Sequence, residues 1–235
     1  MRAVRCAVAV AIIFAASSGA QSPLGPPLPT WQDEIAHGKV PYHQLTADDF
    51  RIDDRIHPEA GYWIKPFVDY RYNFLLKPYN GFSYAYVSAW VVFSGLDKSE
   101  TSRKSKFPNM KADLPYAQAF LDLCELHARE LAALKPGELP GVRAETYERA
   151  KAGLEAKIKA FCQVKFDQIT SEQDAFVKAT NHGANRKKVR ELGAAIRKRL
   201  DAIPAMSPQP NESIPGTTAT PVSSAMPKST ASPAP

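Results

Sequence analysis

Residues 70–92 read YRYNFLLKPYNGFSYAYVSAWVV, and the fold follows from this stretch. Tyr70, Tyr72, Phe74 and Leu76 recur at every second position, the period of a half-buried strand. Pro78-Tyr79-Asn80-Gly81 then supplies the Asn-Gly pair favoured in tight two-residue turns. Phe82, Tyr84, Tyr86, Ser88, Trp90 and Val92 carry a second alternation. The pattern predicts an antiparallel hairpin in a small sheet, within a β region over 61–94 that also holds Tyr62, Ile64 and Phe67. Its aromatic face is read as the layer that packs on helices, with a ligand platform as the sharper alternative.

On the C-terminal side, residues 95–113 are polar and rich in Lys and Ser, and read as a solvent loop. From Leu114 the period changes. Tyr116, Phe120, Leu123, Cys124, His127, Leu131 and Leu134 fall on one helical stripe. Pro136–Gly141 stops that helix. A second helix carries Tyr147, Ala150, Leu154, Ile158, Phe161 and Cys162 on one face, and continues through Phe166, Ile169, Phe176 and Val177 with a break expected near Thr170-Ser171. Asn181-His182-Gly183 reads as a helix end with Gly in the left-handed position. Asn185 caps a last helix with Val189, Leu192, Ile196, Leu200 and Ile203 inward. The fold class expected is α+β: a small antiparallel sheet followed by a bundle of about three helices.

On the N-terminal side, residues 21–38 read as a Pro-rich extended lead-in. Leu45–Phe50 reads as a capped turn, with Thr46 placed to accept from the Asp49 amide. Residues 1–20 have the form of a secretory signal: Arg2 and Arg5, an apolar run from Cys6 to Ala16, then Ser18-Gly19-Ala20 before a cut at Gln21. The run is too short for a stable membrane anchor. The expected product is secreted or periplasmic. From Pro204 the chain is rich in Pro, Ser, Thr and Ala, which predicts a disordered tail over 204–235. Residues 39–203 are then one domain of a 235-residue chain.

The net charge of +6 is a mild excess and gives no strong nucleic-acid signal. Arg186, Lys187, Lys188 and Arg190, with Arg197, Lys198 and Arg199, form a local basic cluster. It reads as the solvated face of the last helix, or as a contact for anionic envelope polymers. Removal of the signal leaves Cys124 and Cys162, an even pair that an oxidising compartment would favour as a disulfide. No Gly-rich phosphate loop, no GxSxG elbow and no metal-finger cysteines occur. His37, His43 and His57 lie in N-terminal loops without ligand-spaced partners, and read as surface or turn histidines.

Residues 122–131, DLCELHAREL, resemble a helix in a bacterial family of predicted secreted zinc-dependent proteases. There the helix opens H-E-Q-x-H-F-D and continues I-x-E-L-x-A-R. Residues 176–183, FVKATNHG, resemble a second element, Y-D-x-E-T-x-H-G, matching Thr180 and His182. Leu45 and Asp49-Phe50 echo a third, L-x-x-x-D-F. The resemblance spans about residues 39–200 and implies a metalloprotease-like scaffold. It places Tyr116 and Phe120 on the two zinc-binding histidines and Ala117 on the catalytic glutamate, with Gln118 the one survivor of that motif. In HExxH, two imidazoles a turn apart hold zinc and the Glu takes a proton from the metal-bound water. Phe120 and Ala117 can do neither. The expectation is a degenerate member without catalytic residues, metal ligands or cofactor, acting by binding to an envelope component or a peptide.

Two alternatives stay open. Tyr116, Asp122, Glu125, Arg129 and His182 could line a remnant polar cleft, and Glu125, His127 and His182 could serve a non-standard hydrolase. The plainer readings are a Glu125–Arg129 helix pair, a packed core His127 and a helix-capping His182.

Overall fold

The computed structural model describes residues 27–55, 61–107 and 110–206. The signal segment, His57 and the tail beyond Met206 lie outside that range. The element order is α1 (Trp31–Ala36), β1 (Lys39–Pro41), β2 (Arg51–Ile52), β3 (Tyr62–Trp63), β4 (Pro66–Tyr79), β5 (Phe82–Asp97), β6 (Ser102–Arg103), α2 (Met110–Ala132), β7 (Val142–Ala144), α3 (Tyr147–Ala179) and α4 (Arg186–Asp201). The class is α+β. No helix among the described residues is long and apolar enough to cross a membrane.

The β4–β5 hairpin is the spine. Asn80 and Gly81 take φ of 48° and 76°, the left-handed values a two-residue hairpin turn requires. β1 pairs with the far end of β5 (Lys39↔Asp97) and β7 with its near end (Ser83↔Ala144), both on the edge opposite β4. Gly95 permits the first contact, since a Cβ there would stand 1.9 Å from the Val40 carbonyl oxygen. A second small sheet has order β2-β6-β3, with β2 parallel and β3 antiparallel to β6.

The register breaks once. Asn73 pairs with Ala89 but Phe74 pairs with Val87, which leaves Ser88 as an extra residue in β5. This bulge alters the expected pattern. Tyr70, Tyr72, Phe74 and Leu76 of β4 do pack in the core beneath the helices. On β5, however, Trp90 and Val92 belong to that inner face together with Ala85 and Val87. Phe82, Tyr84 and Tyr86 are therefore turned to the opposite, outer face. One uninterrupted alternation would have kept all six β5 residues together.

The outer face is covered at one end by α1. Trp31 packs edge-on against Phe93 and Phe67, with centroids 5.1 and 6.3 Å apart. The lead-in is thus not wholly extended. Thr30 donates from its amide and hydroxyl to the Asp33 carboxylate at 2.6 and 2.9 Å, which starts a short helix. Under it, Glu34, Lys39, Asp69 and Arg71 form a half-buried ion network, with Lys39 Nζ 2.6 Å from Glu34. The 95–113 segment also departs from a plain solvent loop. It contains β6 and the start of α2, and Thr101 and Ser102 are buried.

On the inner face lie α2 and α3, with α4 packed on α2. Ion pairs fix their directions. Arg186 meets Asp113, Arg197 meets Asp122, and Arg129 reaches the Leu200 and Ile203 carbonyls, so α2 and α4 run parallel. Phe120 meets Phe176, His127 meets Glu172, and Glu130 meets Lys165, so α3 runs antiparallel to α2. α3 continues unbroken through Thr170, whose hydroxyl donates to the Phe166 carbonyl at 3.0 Å. Thr146 and Asn185 cap α3 and α4 by accepting from the Arg149 and Lys188 amides. At the earlier turn Thr46 and Asp49 form the capping box, in which the Asp49 carboxylate also accepts from the Thr46 amide and hydroxyl at 2.8 and 3.0 Å.

Candidate functional site

Gln118, Asp122, Glu125 and Arg129 are spaced i, i+4, i+7 and i+11 along α2, so they share one face of the helix. Here that polar face is turned inward. The segment after β1 crosses it and brings Tyr42 and Gln44, while α4 brings Arg197. Asp122 Oδ1 accepts from the Tyr42 hydroxyl at 2.8 Å and the Gln118 amide at 2.7 Å, and Arg197 lies 3.1 Å from Oδ2. Arg197 also donates to the Tyr42 hydroxyl at 2.6 Å. Gln118 Oε1 accepts from the Leu45 amide at 2.7 Å and from Gln44 at 3.1 Å. Arg129 Nε donates to Glu125 Oε1 at 2.8 Å. The Tyr42 ring stands between two guanidiniums, 5.9 Å from Arg129 and 5.8 Å from Arg197.

Burial sets the electrostatics of this seam. It pushes the Asp122 carboxyl above the ordinary range, against the pull of Gln118, Tyr42 and Arg197. Glu125 is pushed up by burial in the same way, against the pull of Arg129. Tyr42 is raised by burial and by the Asp122 charge. Glu125 Oε2 and Ser94 Oγ are both buried without a well-formed hydrogen bond, although Ser94 is near enough to pull the Glu125 carboxyl down slightly. Two acids are set against two arginines, so the seam is close to neutral. That arrangement latches three elements together. A shallow groove lies elsewhere, on α3, lined by Asp167, Thr170, Ser171, Asp174, Ala175 and Lys178.

The positions that the resemblance aligns with HExxH lie in the apolar core. Tyr116 is edge-on to Phe120 at 5.2 Å and stacked on Phe176 at 5.4 Å, and Phe120 meets Phe176 edge-on at 5.8 Å. Ala117 is fully buried beside them. Among the described residues, no three His, Cys, Asp or Glu side chains come together in a way that could hold a metal ion.

Of the remnant-cleft residues, Asp122, Glu125 and Arg129 share the buried seam, and Tyr116 belongs to the aromatic core instead. His182 is exposed at the end of α3. Asn181, His182 and Gly183 all have positive φ there, and the His182 amide donates to the Val177 carbonyl at 2.9 Å. Thr180 adds to the capping: its buried hydroxyl donates to the Phe176 carbonyl at 2.7 Å and accepts from the Gly183 amide at 3.3 Å. Gly183 suits the left-handed φ of 83° there, and a Cβ would also stand a tight 3.1 Å from the Tyr116 ring.

Glu125, His127 and His182 do not converge. Residues two apart on a helix point about 200° apart, and His127 faces α3. It is fully buried, with Nδ1 3.0 Å from Glu130 and Nε2 3.2 Å from Glu172. Lys165 and Arg199 complete that network, 2.8 Å from Glu130 and 2.6 Å from Glu172.

Cys124 and Cys162 are both buried and not joined in a disulfide. Cys124 lies 3.6 Å from Gln173 Nε2, eleven positions along α3 from Cys162. With a rise of 1.5 Å per residue, that offset is about 16 Å along the bundle, beyond the roughly 7 Å a disulfide tolerates between Cα atoms. The expected pair is not made in this arrangement. Burial pushes the Cys162 thiol up to about 12.

The basic cluster is largely consumed by ion pairs. Arg186 meets Asp113, Lys187 and Lys188 meet Glu191, Arg197 meets Asp122 and Arg199 meets Glu172. Arg190 is exposed. Tyr42, Gln44 and Ser94 were not anticipated, because each reaches the seam from a distant part of the chain. Only the acid-and-amide spacing on α2 could have signalled it. No family model matches the chain, no curated protein matches its sequence, and no solved structure matches its fold.

Proposed function

We propose that this is an exported, non-catalytic protein on a zinc-protease-like scaffold, acting by binding in an envelope-associated role. One observation carries the reading. The residues aligned with the two metal-binding histidines are rings packed against Phe176, and the residue aligned with the catalytic glutamate is a methyl group beside them. An aromatic trio of this kind is worth several kcal/mol of burial, and its one oxygen, the buried Tyr116 hydroxyl, does not replace the two imidazoles and the carboxylate that a hydrolytic zinc site of this type needs. The nearby acids favour the same reading, because Asp122 and Glu125 are committed to Arg197 and Arg129 within the seam. The Pro-rich lead-in and the signal-like start motivate the export part of the reading.

The test is metal analysis of the purified protein with a peptidase assay on a mixed peptide library. The expected result is substoichiometric zinc and no cleavage above buffer. Stoichiometric zinc with metal-dependent cleavage would overturn the reading. For export, mass spectrometry of the protein recovered from its host should give a chain beginning at Gln21. A cytoplasmic chain retaining residues 1–20 would defeat that part.

A further inference from the structure

Among the described residues, the outer face of the hairpin is covered by α1 at one end and bare at the other. Strict alternation along β4 puts Asn73, Leu75 and Lys77 on that bare half, and the bulge at Ser88 adds Phe82, Tyr84 and Tyr86 from β5. Arg143 of β7 sits opposite Tyr84 and joins the same face. Phe82 and Tyr84 are 36% and 41% exposed, among the most exposed large apolar side chains of the described residues. No Asp or Glu occurs in 73–79, 82–91 or 142–144. The rings form a file along the strand. Tyr84 and Tyr86 stack with centroids 5.7 Å apart and planes 24° apart. A cation closes each end: the Arg143 guanidinium is 3.8 Å from the Phe82 centroid, and Lys77 Nζ is 5.3 Å from that of Tyr86.

We propose that this aromatic, cation-ended face docks on an anionic lipid surface. The proposal deepens the binding-protein reading and rests on it. Geometry decides among occupants. Each of the three rings already gives a face to a neighbouring ring or a cation, which reduces the face area open to stacking by a sugar or a base. A second copy would set Lys77 and Arg143 against like charges, which disfavours self-association. An added peptide strand would pair along a sheet edge and not on this ring-bearing face, and at Ser83–Ala85 the β5 edge is already taken by β7. What remains outward is ring edge, tyrosine hydroxyl and cationic ends, the amphipathic set that settles at headgroup level with phosphates near the cations.

The test uses the full chain with sedimentable vesicles of phosphatidylcholine alone or mixed with phosphatidylglycerol. The apolar run at Cys6–Ala16 partitions into both kinds, so the difference between vesicles, and between variants sharing that run, reads the hairpin face. Binding should be at least tenfold tighter to the anionic vesicles and should weaken as salt rises. Lys77→Gln with Arg143→Gln should cost about fivefold per charge, roughly 25-fold together. Phe82→Ser should weaken anionic-vesicle binding several-fold. Arg190→Gln with Lys198→Gln on α4, which leaves the hairpin untouched, should change it less than twofold. All variants lie at the surface and should keep the parent circular dichroism. Equal binding to both vesicles, or a loss produced by the α4 pair and not by the hairpin pair, overturns the proposal. So does retention on poly-glutamate without vesicle binding, which would indicate an acidic protein partner. The proposal can fail while the protein remains inert as a peptidase, so the two readings fall separately.

Discussion

The two flanks of α2 solve the same problem in opposite ways. Toward α4 and the β1–β2 connection, Asp122 and Glu125 are almost wholly buried, and burial pushes both carboxyls up. Toward α3, Glu130 and Glu172 are about a quarter exposed. Burial pushes them up too, but Lys165 and His127 outweigh it for Glu130, and Arg199 with His127 outweighs it for Glu172, so both end below the ordinary range. The same kinds of partner give opposite signs because water still reaches one flank. A charge deep in the seam is tolerated only while its partners stay in place. A charge on the rim stabilises outright.

The contrast is sharpest in a truncation. Asp122→Ala leaves the Arg197, Tyr42 and Gln118 donors facing an empty place in the core. It should cost about 3–5 kcal/mol in urea denaturation. His127→Ala on the other flank removes one ring from between two acids that keep Lys165 and Arg199, and should cost about 2 kcal/mol. Equal losses would erase the distinction. Next in size is a pH effect. Glu172, depressed, contributes stability that is present above its unfolded pKa and lost as pH falls through its folded one. Glu125, raised, contributes stability that is complete below its unfolded pKa and lost as pH rises through its folded one. Glu172→Gln should therefore flatten the loss of stability below about pH 4, and Glu125→Gln should flatten the loss above it. Melts showing both variants flattening the same limb would break the comparison. The smallest effect is chemical. Denatured, unreduced protein that has lost residues 1–20 should titrate two thiols, since Cys124 and Cys162 are held apart by the α2–α3 register.

Much of the secondary structure was legible because it is local. Asn80-Gly81, the β4 alternation and the stripe on α2 each declare themselves within a few residues. Thr30 and Asp33 also form a local signal, masked by the prolines before them. The bulge at Ser88 was not legible, because an extra residue in a strand costs nothing visible in composition yet reverses the facing of every residue beyond it. The seam was half legible. Gln118, Asp122, Glu125 and Arg129 have the spacing of one helix face, but a polar face is normally read as solvated. Only the approach of Tyr42 and Arg197, which are 155 positions apart, turns it inward.

That long reach orders events in time. Tyr42 is contributed early in the chain and Arg197 late, and the ring of one is clasped by the other. A growing polypeptide that has not yet released residues 186–203 has no lid for Asp122 and Glu125, so water can still enter beside α2. The final clasp closes only after ribosomal elongation has passed that point. Until then the chain keeps an open, hydrated side along α2.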